Sequence, residues 1–403
     1  MKTRGSRRLL WIAATLALLV GLTAAVAQAR PAAGTSDQAT STVKVGIVYS
    51  RTGLLSAYGA EYIQGLRLGL EYATKGTNTV GGKKIELTIV DDATDPAKAV
   101  TAAKDLIGQG YKIIAGSVSS GVALAVAPIA AQNQVLFISG PAASDAVTGA
   151  NRYTFRSGRQ STQDVLAAKE ILGSKSTGKK VVVFAQDSVF GQGNVAAVRA
   201  ILGGKGHSVS SILVPLSAQD FTPFAQQAKQ ANADLLFVAW AGTTAGGMWT
   251  ALQQQGVMQG TTMSTGLAER ATWGSYPPGI TFLSHYTYAS PKNKVNDWLV
   301  AKMKKRNQLP DIFTPDGFNA AMMIVRAIQK GGGDNVDAMI SALEGYQFVG
   351  PKGVNRIRQA DHALLQPMFS VKLQTVKGKL AAVPVKTFSP GNLQPPVRPF
   401  PSS

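Results

Sequence analysis

The stretch of sequence that determines the fold class is residues 112–144, KIIAGSVSSGVALAVAPIAAQNQVLFISGPAAS. It begins with a short apolar segment, Lys112 to Ala115, continues with a helical segment, Val122 to Gln132, and ends with a second apolar segment, Val135 to Ser139. Because both apolar segments are short and continuous, they predict strands buried on both faces of a sheet. A strand, a helix and a second strand joined by short loops indicate a parallel β–α–β unit.

The same alternation of strands and helices extends in both directions from this unit. Upstream, Lys44 to Tyr49 and Lys84 to Val90 predict strands, and Gly59 to Ala73 predicts a helix between them. A second set follows residue 160, with strands over 180–185, 209–214 and 235–239 and helices over 194–202, 221–230 and 248–255. Two such sets predict an α/β fold with two Rossmann-like lobes, each built on a parallel central sheet.

The composition agrees with a folded, two-lobed protein and excludes several kinds of chemistry. The 403 residues exceed the usual size of one hydrophobic core, and 45% of them are hydrophobic against 16% charged. The chain contains no cysteine, which excludes disulfides, thiolate metal sites and cysteine nucleophiles. Its formal net charge of +19 would suggest nucleic acid as a partner if the protein were cytosolic.

The amino-terminal segment indicates export instead. Basic residues up to Arg8 precede an apolar run from Leu9 to about Ala27, which small residues follow as Ala27-Gln28-Ala29. This order predicts a signal peptide over residues 1–29. Cleavage near Ala27 or Ala29 and retention as an anchor both stay open, as do the Sec and twin-arginine routes. We expect the protein in the periplasm or at the outer face of the cytoplasmic membrane, where nucleic acid is not an expected partner.

The segments that flank the predicted lobes lack the patterns of folded structure. Residues 30–42 consist mainly of small and polar residues, so they predict a flexible linker. Residues 389–403 are rich in proline and predict a disordered tail.

Several motifs imitate enzyme sites without providing the required chemistry. Gly191 to Ala196 imitates a dinucleotide fingerprint, but no acidic residue follows at the distance needed to bind the ribose. Gly173 to Lys180 imitates a phosphate-binding loop, but it ends in lysine where a hydroxyl group must bind magnesium. His207, His285 and His362 have no metal-ligand spacing, and each is interpreted as a surface or packed histidine. The sequence therefore predicts no enzymatic activity, cofactor or metal.

The first candidate binding loop follows the strand at Ile113-Ile114. Its residues Ser117-Val118-Ser119-Ser120 lead directly into a helix. The helix-start N–H groups beside Ser119 and Ser120, together with the helix dipole, can bind an anion such as a carboxylate. Ordinary N-capping is the alternative interpretation of these serines.

The second candidate loop, Ser139 to Ser144, follows the next strand. Its small residues Ala142 and Ala143 would let a ligand approach the backbone, and Ser144 can offer a hydroxyl group. Parallel sheets bind ligands at the carboxyl ends of their strands, where both loops are expected to lie.

With these loops the chain resembles the leucine/isoleucine/valine-binding protein family, the type I periplasmic binding proteins of branched-chain amino acid importers. The resemblance covers about Val43 to Val385, and it rests on the order and intervals of short motifs. These motifs are Val43-Lys44-Val45-Gly46, Ser56-Ala57-Tyr58-Gly59, Gly81-Gly82, Val90-Asp91-Asp92-Ala93-Thr94-Asp95-Pro96, Gly116-Ser117-Val118-Ser119-Ser120 and Ile138-Ser139-Gly140-Pro141-Ala142-Ala143-Ser144.

The resemblance implies two lobes joined by three crossovers, with the ligand in the cleft between them. The first lobe would contain residues 43–160 and 286–348, and the second would contain residues 161–285 and 349–388. The implied mechanism is hinge closure, in which the ligand docks on the first lobe and the second lobe closes over it.

The family's ligand contacts imply roles for individual residues. Ser120 matches the serine that binds the ligand carboxylate, and Ala142 and Ser144 match residues that hold the carboxylate and the ammonium. Tyr58 matches an aromatic residue that lines the side-chain pocket. Phe190 stands where a tyrosine of the second lobe closes over the ligand.

Two positions depart from the family pattern. The glutamate that binds the ligand ammonium aligns with Gly266, and Glu269 is the candidate replacement. An aromatic residue of the preceding loop aligns with Ala241 or Gly242, and the adjacent Trp240 is the aromatic candidate. A buried ammonium needs a paired carboxylate. Amino acids, aromatic or aliphatic acids and amides therefore all stay open as ligands.

These features predict a monomeric solute-binding protein that delivers a small metabolite to the membrane permease subunits of an ABC importer. The alternative is a ligand-sensing receptor of the same fold that is not coupled to transport. A third hypothesis is an exported enzyme of the same fold, but the sequence supplies no nucleophile or base for one.

Overall fold

The computed structural model describes residues 41–173, 175–266, 268–276 and 281–401. The predicted signal peptide and nearly all of the predicted linker lie outside this part of the chain. No helix among the described residues is long and apolar enough to cross a membrane.

The described elements alternate along most of the chain. The strands are β1 Thr42–Tyr49, β2 Thr79–Val80, β3 Lys83–Asp91, β4 Ile113–Ala115, β5 Leu136–Ser139, β6 Thr154–Arg156, β7 Lys180–Gln186, β8 Ser208–Val214, β9 Leu235–Ala239, β10 Thr262–Thr265, β11 Thr281–Ser284, β12 Gln347–Gly350, β13 Gly353–Ile357, β14 Leu364–Leu365, β15 Met368–Val376 and β16 Lys379–Phe388. The α-helices are α1 Ser56–Ala73, α2 Pro96–Gly108, α3 Ser120–Gln132, α4 Ser161–Leu172, α5 Val189–Ile201, α6 Thr222–Gln230, α7 Ala245–Gln254, α8 Lys294–Lys304, α9 Thr314–Gly331 and α10 Val336–Leu343.

The first lobe is built on a six-stranded sheet in the order β2-β3-β1-β4-β5-β6. All neighbours pair in parallel except the short edge strand β2, and Val45 of β1 lies between Leu87 of β3 and Ile113 of β4. Helices α1, α9 and α10 cover one face, while α2 and α3 cover the other. Buried strands with helices on both faces are the arrangement expected from their continuous apolar sequences.

Two glycines allow α1 and α9 to pack closely in this lobe. A Cβ atom at Gly65 of α1 would lie 1.9 Å from the carbonyl oxygen of Thr314, and one at Gly317 of α9 would lie 1.9 Å from that of Tyr62. This close approach fixes the amino-terminal end of α9, so that Ile312 and Phe313 reach the cleft described below.

The second lobe combines a parallel and an antiparallel sheet. Four parallel strands run in the order β10-β9-β7-β8, and three antiparallel strands run in the order β11-β15-β16. A single parallel bridge between Gly266 and Leu283 connects the two sheets. The predicted α/β class with a parallel sheet in each lobe is confirmed.

The three-stranded sheet β12-β13-β14 moves the expected boundary between the lobes. Phe348, Ile357 and Leu364 belong to the core of the first lobe, so residues 349–365 lie with that lobe and not with the second. The chain enters the second lobe again with β15, whose Val371 and Leu373 pack in that lobe's core. The apolar sequence from Leu364 to Leu373 forms two strands, because Pro367 separates β14 from β15.

The carboxyl-terminal tail is folded, which corrects the prediction of disorder for residues 389–403 over its described part, up to Pro401. Leu393 is fully buried in the core of the second lobe. The tail then returns to the first lobe, where Arg358 donates hydrogen bonds to the carbonyl oxygens of Pro395 and Pro396. Proline has no backbone N–H, so these residues accept hydrogen bonds without leaving donors unpaired.

Candidate ligand-binding cleft

A cavity of about 680 Å³ lies between the two lobes. Its first-lobe wall includes the start of α3 and the loops that follow β1, β3 and β5. Its second-lobe wall includes the start of α5 and the residues that follow β9 and β10. These are the carboxyl ends of parallel strands, where sheets of this kind bind ligands.

Ser119 and Ser120 line the cavity at the start of α3, as the sequence predicts. Ser119 is the N-cap of the helix, and its hydroxyl group accepts a hydrogen bond from the N–H of Val122 at 3.4 Å. The hydroxyl oxygen of Ser120 accepts a hydrogen bond from the N–H of Ser144 at 3.1 Å. Its hydrogen is therefore available to donate to a ligand. The first turn of α3 contains no acidic residue, so the helix itself presents no like charge to a carboxylate.

A buried carboxylate holds this loop in place. Asp92 is fully buried and accepts hydrogen bonds from the hydroxyl groups of Ser50, at 2.7 Å, and Ser117, at 2.6 Å. Burial raises the pKa of Asp92 above its usual value, while the bonds from Ser117 and Ser50 act in the opposite direction. The loop before α3 is thus tied to the end of β3 and oriented before a ligand arrives.

The loop after β5 contributes less than the sequence predicts. Ala143 lines the cavity, but Ala142 and Ser144 are not among the described lining residues. The carbonyl oxygens of these two residues accept hydrogen bonds from the buried guanidinium group of Arg156, at 2.5 and 3.2 Å. Their backbone oxygens therefore fix the loop, while the expected grip of Ala142 and Ser144 on a ligand stays a prediction.

Aromatic side chains from both lobes line the cavity. Tyr58, Phe190 and Trp240 occupy the walls, as the sequence predicts. The hydroxyl oxygen of Tyr58 accepts a hydrogen bond from the N–H of Gly242 at 3.3 Å, which joins the lobes. The Tyr58 ring also packs edge-on against Phe313, with ring centroids 4.7 Å apart. An apolar or aromatic ligand body is the natural complement of these walls.

Gly266 has no side chain to provide the carboxylate that an ammonium group would need, and Glu269 is not among the described lining residues. Gly266 lines the cavity, and a Cβ atom there would lie 3.3 Å from Cε1 of His285. Glu269 is buried outside the described lining, and burial raises the pKa of its carboxyl group. Its carboxyl group lies beside the hydroxyl group of Tyr58, which lines the cavity, and its Oε2 has no partner among the described residues, so the role of Glu269 as a replacement stays a prediction.

Three lining residues that the sequence analysis missed meet where the chain passes between the lobes. Arg159 lies in the first passage, Asp164 in the first turn of α4, and His285 directly after β11. Arg159 Nη2 is 3.2 Å from Asp164 Oδ2, and His285 Nε2 is 3.4 Å from Asp164 Oδ1. His285 therefore lies in the cleft and is not only a packed histidine.

Burial determines the charge states of this group. Burial, assisted by the charge of Arg159, lowers the pKa of His285 to about 4, so the imidazole is neutral near pH 7. Burial alone would raise the pKa of Asp164, but the charge of Arg159 and the contact with His285 outweigh it and lower that pKa. Asp164 therefore stays ionised beside Arg159.

Sequence comparisons with known proteins show similarity to periplasmic ligand-binding proteins. Residues 42–379 match the family described as periplasmic binding protein. A Leu/Ile/Val-binding protein of Rhizobium johnstonii is 27% identical over 75% of this chain and 83% of its own length.

Two solved structures from Rhodopseudomonas palustris are similar in fold and sequence. An ABC-type branched-chain amino acid transporter protein is 35% identical, with a TM-score of 0.75, covering 89% of this chain and 100% of its own. A solute-binding protein of an ABC transporter in complex with 3,4-dihydroxybenzoic acid is 26% identical, with a TM-score of 0.77, covering 86% of this chain and 97% of its own.

Proposed function

This chain belongs to the periplasmic binding protein family, the solute-binding proteins of ABC transporters, and we propose that its cleft captures a small carboxylic acid that carries no α-ammonium group. The ligand carboxylate would bind at the start of α3, and its apolar or aromatic body would lie between the aromatic walls of the two lobes.

The observation that carries this proposal is the state of the carboxylates around the cavity. Among the described lining residues, they are Asp95 and Asp164. Asp95 accepts hydrogen bonds from the N–H groups of Ala97 and Lys98 as the N-cap of α2. Asp164 is paired with Arg159. Asp95 is already engaged as a helix cap and Arg159 already balances the charge of Asp164, so neither offers an unbalanced charge to a buried ammonium, and an unpaired buried charge is costly.

The start of α3 offers the opposite kind of partner. The free hydroxyl hydrogen of Ser120 and the N–H groups of the first helical turn can surround a carboxylate. The bound 3,4-dihydroxybenzoic acid in a similar protein supports an aromatic acid as one ligand of this class.

Matched pairs of ligands test the proposal, because their members differ only in the α-ammonium group. We would measure thermal unfolding and calorimetric binding of the purified protein with 4-methylpentanoate against leucine and with 3-phenylpropanoate against phenylalanine, and add benzoate. A ligand present at a thousand times its Kd should stabilise the protein by about 4 kcal/mol. Stabilisation by leucine but not by 4-methylpentanoate would overturn the proposal.

We also propose that the protein acts as an exported monomer that delivers this ligand to the permease subunits of an ABC importer. The basic and apolar amino-terminal segment supports export. Cell fractionation, sedimentation of the purified protein and uptake of the identified acid by a strain lacking the gene would test location, oligomeric state and transport separately.

A further inference from the structure

Three buried polar atoms in the cleft have no hydrogen-bond partner among the described residues. They are Nε of Arg159, Nδ1 of His285 and Oδ1 of Asp164, which has only the long 3.4 Å contact with His285 Nε2. The side chains of these residues are only 4%, 8% and 7% exposed, and all three line the cavity. Leaving buried polar groups unpaired is unfavourable, so the set is incomplete until something in the cavity bonds to it.

The charge of this cluster argues against a second carboxylate as its partner. The positive charge of Arg159 is already balanced by Asp164 at 3.2 Å. The buried pair of Lys352 and Asp316, with Nζ and Oδ1 3.0 Å apart, is also balanced. A carboxylate placed here would therefore face the charge of Asp164, while the charges of Arg159 and Lys352 are already paired.

The unpaired atoms instead match a group that both donates and accepts hydrogen bonds. Arg159 Nε is a donor, the ionised Asp164 is an acceptor, and a neutral imidazole nitrogen is either one. The cation of Arg159 lies 5.9 Å from the centre of the Phe313 ring, and the His285 ring lies 5.8 Å from it, nearly parallel. An apolar surface thus stands beside the polar cluster, as a hydroxyl group on an aromatic ring would require.

We propose that Arg159, Asp164 and His285 bind a hydroxyl group of the ligand, so that the ligand class is hydroxy-substituted carboxylic acids. The inference rests on the proposed function, since it concerns a second polar group on the acid whose carboxylate is held at α3. The ligand hydroxyl would accept from Arg159 Nε and donate to one of the two acceptors of the cluster, Asp164 Oδ1 or His285 Nδ1.

Calorimetry with ligand pairs that differ only in a hydroxyl group tests the assignment. The probes are benzoate against 3- and 4-hydroxybenzoate, and 3-phenylpropanoate against 3-(4-hydroxyphenyl)propanoate. We expect the protein to bind at least one hydroxy acid roughly tenfold to a hundredfold more tightly than its parent acid. In Asp164→Asn and His285→Gln this preference should fall to about threefold or less.

The preference is a ratio of two affinities in the same variant, so a general loss of folded protein does not change it. If Asp164→Asn fails to fold, His285→Gln still gives the ratio. Asp337→Asn is the matched control, because it alters the ion pair with Arg152 within the first lobe, outside the described cavity lining, and should keep the preference.

The outcomes separate the two proposals. Failure of all these acids to bind would remove the proposed function. Binding without any preference for the hydroxyl group would overturn only the present inference and would assign the unpaired atoms to water. A preference that survives in both Asp164→Asn and His285→Gln would also overturn it, because the hydroxyl group would then bind elsewhere.

Discussion

The hydroxyl group of Ser120 has one hydrogen bond to Ser144 and a free hydrogen beside the cavity. We expect Ser120→Ala to weaken ligand binding by about 1–3 kcal/mol, because a buried carboxylate would lose one donor. Isothermal calorimetry, with an acid that binds in the ligand screen described above, measures the change in affinity. Ser144→Ala is the control, since its hydroxyl group accepts from the N–H of Ala146 outside the described lining. Equal affinities of the wild type and Ser120→Ala would contradict the carboxylate site.

The two serines could be found from the sequence because the signal is local. A strand end, a short loop and a helix start occur within a few residues, and Ser119 and Ser120 fall at the junction. Arg159, Asp164 and His285 could not be found in this way. Asp164 and His285 meet only because two distant passages between the lobes lie side by side.

Position 266 explains how this site differs from one for amino acids. We expect Gly266→Glu alone to give little affinity for leucine, because its Cβ atom would lie 3.3 Å from the imidazole of His285, which would have to shift to admit the new side chain. The double variant Gly266→Glu/His285→Ala should bind leucine, since it removes that obstacle and supplies a carboxylate for the ammonium. Calorimetric titration with leucine compares the two, with His285→Ala as the control. A gain in the single variant would show that His285 does not block this position.

His285 should also make stability depend on pH. Its pKa is lowered from 6.5 to about 4 by burial and by Arg159. Between these values the unfolded chain binds a proton that the folded chain does not. The contribution is therefore full above about pH 6.5 and is lost as the pH falls towards 4. The difference corresponds to roughly 3 kcal/mol. Urea unfolding of the wild type should lose more stability over this range than His285→Gln, and parallel losses would contradict the assignment.

At the scale of elements, the short helical turn at Arg270–Ser275 joins the lobes across one edge of the cleft. The Arg270 side chain donates a hydrogen bond to the carbonyl oxygen of Leu309 at 2.7 Å, and its Nε is 3.3 Å from Asp311 Oδ2. Because these partners belong to the first lobe and Arg270 to the second, the contacts hold the two lobes together beside the cleft.

We therefore expect Arg270→Gln to raise the Kd roughly fivefold to thirtyfold, mainly through faster dissociation of the ligand. Stopped-flow and calorimetric measurements separate the rate from the affinity. Arg152→Gln is the matched control, because Arg152 pairs with Asp337 within the first lobe. A loss of equal size in both variants would indicate a general effect of charge.

Elements whose own sequence carries a clear hydrophobic pattern were predicted with nearly the observed boundaries. Elements without such a pattern were missed. The helix predicted over Gly59 to Ala73 is α1, Ser56–Ala73, and the strand predicted at Lys180 to Ala185 is β7, Lys180–Gln186. The hairpin β12–β13 was missed because its alternating pattern covers only a few residues. Its burial is determined by the first-lobe core, which the local sequence does not show.

At the scale of the whole molecule, the tail is the largest difference from the sequence prediction. Proline content indicated disorder, yet residues 389–401 connect the cores of both lobes. Leu393 is buried in the second lobe, while the N–H of Arg398 donates to Asp361 and the Phe400 ring lies 4.7 Å from the His362 ring in the first. The amino-acid composition of the tail could not predict its order, because one buried leucine and a few carbonyl oxygens are sufficient to order the segment.

Deleting residues 389–403 should therefore weaken both lobes and their coupling. The loss of Leu393 alone should reduce the free energy of unfolding by about 2–5 kcal/mol. Of the tryptophans in the described chain, Trp240, Trp249 and Trp273 pack in the second lobe, and Trp298 packs in the first. Tryptophan fluorescence in urea thus reports mainly on the second lobe, whereas circular dichroism reports on both.

We expect the two signals to give one transition in the full chain and two separate midpoints in the truncated chain. Leu393→Ala should reproduce most of the loss of stability in the second lobe. Val397→Ala, which changes a side chain that is 52% exposed, should have little effect. Coincident transitions at an unchanged midpoint in the truncated chain would mean that the tail rests on the lobes without stabilising them. In that case the passages of the main chain would be sufficient to couple the lobes.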